Sequence, residues 1–291
     1  MTKLLRHILT CNRHDPSRFL PLLVSGHRAG LVTRSVAWQL AAADHGFSMD
    51  RSGLRFDAPS MAERSAALAD AVQTLQQAGL CPPSRGELFP VVERWGGPAL
   101  ALVDRAACAV FGFPSFGLHV HGLVRDGEET SMWIGRRGLD RGLAPGALDN
   151  MIAGGQPHGL SLMENLAKEA EEEASLPAAL ARTARPVGAV AYCQDQPPIT
   201  GDEPSGVKRD VLFVYELFLP FDVRPEPADE EVAGFALWPA RQALLRAQET
   251  DDFKFNVPLT LIEFGIRHGL IGPDDPDYLA LLRGLLGRTQ L

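Results

Sequence analysis

The segment from Gly154 to Leu176 constrains this chain more than any other. It runs Gly154-Gly155-Gln156-Pro157-His158-Gly159-Leu160-Ser161-Leu162-Met163-Glu164 and continues Asn165-Leu166-Ala167-Lys168-Glu169-Ala170-Glu171-Glu172-Glu173-Ala174-Ser175-Leu176. Read physically, it is a glycine-rich loop feeding a helix. Ser161 and Glu164 form an S-x-x-E capping box, and Pro177 stops the helix just after Leu176. At about 100° per residue, Glu169, Glu172 and Glu173 share one arc, beside an apolar face of Leu162, Met163, Leu166, Ala170 and Ala174. Glu164 and Glu171 point elsewhere. Like charges at these spacings destabilise an isolated helix by about 0.2–0.5 kcal/mol per pair. A solvated acidic face is the ordinary explanation. Two features count against it: the trio borders the buried face, and the loop before it lets a phosphate approach. A hard cation such as Mg²⁺, which takes oxygen ligands, turns the repulsion into coordination.

Charge bounds the partners. The 291 residues carry 28 Lys+Arg against 36 Asp+Glu, a formal net charge of −8. That balance argues against a coat for nucleic acid or for an anionic membrane. It suits a protein that either ignores polyanions or handles small anions through a bound metal. Cys11, Cys81, Cys108 and Cys193 are scattered, with no C-x-x-C pair, so free thiols in a reducing cytoplasm are expected. No run of about 20 apolar residues predicts a membrane span, and residues 1–10 do not read as a secretory signal.

The length predicts two domains. In the first, Phe19–Val24 and the run from Gly30 read as strand, turn, strand about Ser25-Gly26, and residues 61–78 as a helix closed by Gly79. A second helix is expected over 99–110. Beyond the Gly/Pro-rich stretch 111–117 come strand (118–124), turn (125–128) and strand (130–136). The boundary is placed at residue 117, giving domains 1–117 and 118–291.

The segment 154–176 resembles a Nudix box, the pattern G-x5-E-x7-R-E-U-x-E-E-x-G-U, where U is a bulky aliphatic residue. Gly154 matches the first glycine, Lys168 stands for the arginine, and Glu169, Glu172 and Glu173 match the glutamates of R-E-U-x-E-E. Leu176 matches the last aliphatic residue. Leu160, Ala170 and Ser175 depart from the pattern at the first glutamate, the aliphatic residue and the final glycine. The surroundings narrow the resemblance. Met132 to Arg137, Pro145 to Asn150, Ala153-Gly154-Gly155, Val187-Gly188, Asp229 to Val232, Phe253 to Asn256 and Arg267-His268-Gly269 are similar, in order, to the thiamine-pyrophosphokinase-related Nudix proteins. That branch carries an N-terminal domain of undefined role and lacks the first glutamate, so Leu160 is a branch trait.

The resemblance implies an α/β fold: a C-terminal α/β/α sandwich with a mixed sheet, after a smaller α+β domain. It implies a Mg²⁺-dependent pyrophosphohydrolase, with Mn²⁺ as the substitute ion, cutting thiamine diphosphate or its oxy and oxo analogues to monophosphate and phosphate. Glu169, Glu172 and Glu173 are the expected metal ligands, and Lys168 orients Glu169 or contacts phosphate. The general base is a box glutamate or Glu231. Arg136, Arg137, Arg141, Gly154 and Gly155 are the candidates for substrate contact. Lys208 and Arg209 are weaker, since they begin a strand and are expected to face solvent. His119 and His121 read as packing or surface residues, and Trp133, Trp238 and Phe116 as core residues. Two other readings stay open: a hydrolase of a nucleoside diphosphate derivative, and a catalytically silent ligand-binding protein, motivated by Leu160. The N-terminal domain offers no chemical constellation; closing the pocket and forming a homodimer are its candidate roles.

Overall fold

A computed structural model describes residues 3–43, 45–140, 142–199 and 201–287. The chain begins with α1 (Leu5–Cys11), the hairpin β1 (Phe19–Val24) and β2 (His27–Thr33), α2 (Arg34–Ala42), β3 (Phe47–Asp50) and β4 (Gly53–Phe56). Next come α3 (Met61–Gln77), β5 (Leu88–Val91), β6 (Ala101–Asp104) and α4 (Cys108–Phe111). The first sheet has the order β2-β1-β4-β3, with β1 and β4 parallel. Ser60 caps α3 through a full capping box with Glu63, and Gly79 beyond it has φ +71°, as the helix-end signals predict.

The helix expected over 99–110 is not there as such. Residues 101–104 form β6, paired antiparallel with β5, and the helical part is a 3-10 turn, Arg105–Ala107, leading into the short α-helix Cys108–Phe111. The alanine-rich composition favours helix, but the partner strand takes Leu102 and Val103 into the ladder. Asp104 then turns the chain by accepting a hydrogen bond from the Ala106 N–H.

The second half holds β7 (Pro114–Asp126), β8 (Glu129–Arg137), β9 (Leu148–Asp149), β10 (Ile152–Gly155), α5 (Leu162–Ala174) and α6 (Ala178–Ala181). It continues with β11 (Arg185–Asp195), β12 (Val207–Phe218), β13 (Val232–Pro239), α7 (Ala240–Glu249), α8 (Val257–Arg267) and α9 (Tyr278–Leu285). The sheet order is β11-β12-β7-β8-β13, with β10 on β7 and β9 on β8. β12 and β7 are parallel and the other pairs antiparallel, so the sheet is mixed.

Alternation along each strand sends side chains to opposite faces. Leu118, Val120, Val124 and Trp133 pack under α5 through Leu166, Ala167, Ala170 and Ala174. Met132, Tyr192, Leu212 and Val214 pack against α7, α8 and α9 through Leu244, Leu261, Phe264 and Leu281. The result is the α/β/α sandwich with a mixed sheet, beside a smaller α+β portion. Two details bear on the boundary near 117. Residue 117 lies inside β7, and Leu4, Ile8 and Cys11 of the N-terminal segment are buried in the second core.

Candidate active site

The box folds as its local signals dictate. Ser161 caps α5: its hydroxyl accepts from the Glu164 N–H at 3.2 Å, and the Glu164 carboxylate accepts from the Ser161 N–H at 2.8 Å. The helix ends at Ser175, whose φ of +52° is the left-handed conformation that a glycine would take freely. Asn165, fully buried, donates to the Gly155 carbonyl at 2.8 Å and so ties the helix to the glycine loop.

The three glutamates differ in setting. Glu173 is buried and accepts from the Ala153 N–H at 2.8 Å. Burial pushes its carboxyl well above the ordinary glutamate range, and the negative charges of Glu169 and Asp149 push the same way. Glu169 is also raised by burial, partly offset by Lys168. Glu172 is exposed and pairs with Lys168 at 2.5 Å, while Lys168 lies 3.7 Å from Glu169. Burial draws the Lys168 ammonium down, but its bond to Glu172 and the charge of Glu169 outweigh it and leave it raised.

A cavity of about 890 Å³ opens onto these residues. Lys168, Glu169, Glu172, Glu173, Gly154 and Gly155 line it, as do Glu231 and Arg137. Arg136 lies on a small adjoining hollow shared with Glu173 and Glu231, and donates to the Gly146 carbonyl at 2.9 Å. Arg137 is largely spent within the fold: it pairs with buried Asp149 at 2.9 Å and donates to the Leu143 and Ala144 carbonyls. Arg141 lies outside the described residues.

Most of the cavity's other walls are not legible in the sequence, where Lys208 stands only as a weaker candidate. Arg85, Glu87, Phe89 and Arg105 reach it from the N-terminal portion, and Lys208, Asp210, Tyr192, Lys254 and Asn256 from the second sheet and its flank. Arg105 pairs with Glu87 at 2.9 Å and lies over the Phe89 ring at 5.5 Å. A β-carbon at residue 155 would meet Phe89 at 2.6 Å and Arg105 at 3.1 Å, so the N-terminal portion packs directly on the glycine pair of the box. No spacing in the sequence signals this contact.

The expectation that Lys208 and Arg209 face solvent is corrected. Lys208 is half-buried in the cavity wall, and Arg209 donates to the Gly112 carbonyl at 3.1 Å between the two portions of the chain. Burial lowers both cations. His119 and His121 are packing residues as expected. Both are buried and meet Asn150, at 2.7 and 3.0 Å, and burial lowers them to about 4 and about 3.

Residues 3–114 match the family model described as a domain of unknown function (DUF4743), ending where β7 begins. Over 98% of its length the chain is 37% identical to the Arabidopsis thaliana protein named Nudix hydrolase 24, chloroplastic, covering 78% of that protein. It is 35% identical to Nudix hydrolase 20, chloroplastic, of the same plant, over 99% of this chain and 79% of that one. The chain belongs to the Nudix hydrolases. A crystal structure from Deinococcus radiodurans, DR0079, aligns with 61% of this chain and 96% of its own at 20% identity and a TM-score of 0.44. As a Nudix hydrolase the protein acts on diphosphate bonds.

The box donors suit a hard divalent cation in kind. They are all carboxylate oxygens, with Glu173 buried and Glu169 half-buried, and Gly154 leaves the space that the Glu169 carboxylate occupies. Among the described residues no three acidic, histidine or cysteine side chains converge as a finished metal cluster. Glu172 is turned to Lys168 instead.

Proposed function

We propose that the protein hydrolyses thiamine diphosphate or its oxy and oxo analogues to the monophosphate and phosphate, with Mg²⁺ as the working ion and Mn²⁺ as its substitute. One observation carries the reading: a single cavity gathers the box glutamates, the cations Lys168, Arg85, Arg105 and Lys254, and the aromatic rings of Phe89 and Phe116. A diphosphate needs its charge neutralised and a water activated. The rings and the polar wall suit a flat heteroaromatic group.

In this reading Glu169, Glu172 and Glu173 would hold the cation, which would supply charge withdrawal from the phosphate oxygens and a more acidic water. Lys168 holds Glu172 and Glu169 in place. Arg105 and Arg85 balance the non-bridging oxygens from the N-terminal side. A box glutamate or Glu231 takes the proton of the attacking water. The four described cysteines are buried and free, which supports work in a reducing compartment, the cytoplasm in this reading. No described helix is long and apolar enough to cross a membrane. A small-molecule diphosphate is the partner, not nucleic acid.

A second reading takes a nucleoside diphosphate derivative, such as a nucleotide sugar, as the substrate. It is favoured by the size of the cavity, which lies near the top of the range of about 300–1,000 Å³ for small-molecule sites. Phosphate release from thiamine diphosphate, oxythiamine diphosphate and a nucleotide-sugar panel, with Mg²⁺ or Mn²⁺, separates the two. The first reading expects the thiamine series to be turned over best. No turnover of any thiamine analogue sinks it.

A further inference from the structure

The wall of the cavity formed by β12, β11 and the residues just before α8 carries polar groups that the hydrolytic chemistry leaves unused. Tyr192 is fully buried and its hydroxyl donates to Asp210 at 2.5 Å. With that hydrogen committed, the hydroxyl oxygen must accept. The Asn256 amide nitrogen donates to it at 3.4 Å. This chain fixes the amide and turns its oxygen away from Tyr192. Asn256 is 5% exposed, and its Oδ1 has no hydrogen-bond partner among the described residues. Lys208 stands two residues before Asp210, on the same face of β12. Its ammonium lies 5.3 Å from the Phe255 ring centre and, among the described residues, has neither a hydrogen bond nor an ion pair.

A buried amide oxygen without a partner costs about 1–3 kcal/mol. A recessed ammonium without a hydrogen-bonded counter-ion is costly as well. Both stand in the wall of the cavity that receives the substrate. Native interiors keep such groups unsatisfied where something else is to satisfy them.

We propose that this wall is the subsite that reads the polar edge of the substrate's ring: Lys208 donates to a ring acceptor, and Asn256 Oδ1 accepts from a ring N–H or amino group. The assignment rests on the reading above, in which the organic group carries a heteroaromatic ring. Asp210 and Tyr192 are positioning residues, acting through Asn256. One fixed donor beside one fixed acceptor distinguishes rings in which those groups are exchanged. An amino-pyrimidine and an oxo-pyrimidine of the same skeleton are such a pair, because the amino form offers N–H₂ beside a bare ring nitrogen and the oxo form C=O beside N–H. A ring anchored through its phosphate cannot turn over to undo the difference.

The test is calorimetric binding of four monophosphates to the full chain with Mg²⁺. Two pairs differ only in this edge: thiamine and oxythiamine monophosphates, and CMP and UMP. The members of at least one pair are expected to differ about tenfold or more in Kd. Lys208→Met and Asn256→Leu are each expected to bring that ratio within about twofold. Lys208→Gln serves as a second variant at 208, and melting curves confirm that each variant is folded. Ratios within twofold in both wild-type pairs, binding of none of the four, or a ratio that survives Lys208→Met or Asn256→Leu would overturn the assignment. Failure of the thiamine reading shows instead as absent thiamine-analogue turnover, with the CMP and UMP pair still discriminated.

Discussion

The carboxyl carbon of Glu169 lies 2.4 Å from where a β-carbon on residue 154 would stand. The first glycine of the box is therefore the space into which α5 projects the Glu169 carboxylate. Gly154→Ala keeps an allowed backbone and meets the end of a flexible side chain, so the fold is expected to survive. The carboxylate must move, however, and displacement of about 1 Å can cost about 10²-fold in rate. Steady-state turnover beside circular dichroism checks this: kcat falls by more than tenfold while the spectrum is unchanged.

Ionising Glu173 is costly where it stands. Burial pushes its carboxyl well above the ordinary glutamate range, against the one N–H that Ala153 donates to it. Glu173→Gln keeps that hydrogen bond and removes the ionisable group. Without divalent ions the variant is expected to melt at or above the wild-type temperature. Its kcat is expected to fall about 10²–10³-fold. Differential scanning calorimetry and phosphate release report the two halves separately.

Sequence showed much of this site and hid the rest for physical reasons. The box, its capping box and the β7–β8 hairpin are local, written in spacings of one to four residues. So is the left-handed turn at 175, where serine stands in the place of the family's glycine. The strand Ala101–Asp104 was hidden because its helical composition yields to pairing with β5. Phe89 and Arg105 were hidden because only tertiary packing brings them to Gly155, and the placing of Lys208 in the cavity wall depends on the same packing. The burial that distinguishes Glu173 from exposed Glu172 follows from which side of α5 meets β10, and helical periodicity alone puts both on one arc.

Ser175 holds φ +52° without being glycine. Ser175→Gly relieves the left-handed strain at a point that contributes no side chain to the cavity. The expected gain is about 1 kcal/mol, reduced somewhat by the freer unfolded chain. Urea unfolding should show a higher midpoint at an unchanged slope, with kcat unaffected.

The paired histidines predict a pH dependence. His119 and His121 are lowered by burial to about 4 and about 3, while the unfolded chain titrates near 6.5. Below that value the unfolded state binds more protons, so their contribution is complete above pH 6.5 and is lost as pH falls toward the folded values. The loss is about 1.4 kcal/mol per pH unit for each histidine. The raised carboxyls of Glu169 and Glu173 act in the opposite sense, so the comparison is made by difference. Between pH 6 and 5, His121→Gln should lose less stability than wild type by about 1.4 kcal/mol per unit. Equal slopes in denaturant titrations would remove the histidine from the account.

The glutamates of α5 are expected to support metal-dependent cleavage of a diphosphate in the shared cavity. A Mg²⁺ titration of phosphate release, on whichever panel substrate turns over fastest, checks this when wild type and Glu173→Gln are run side by side. Saturable Mg²⁺ dependence is expected in wild type, with no turnover after chelation and a loss of at least about 10²-fold in the variant. Turnover that persists in chelator, or a Glu173→Gln enzyme as fast as wild type, would contradict it.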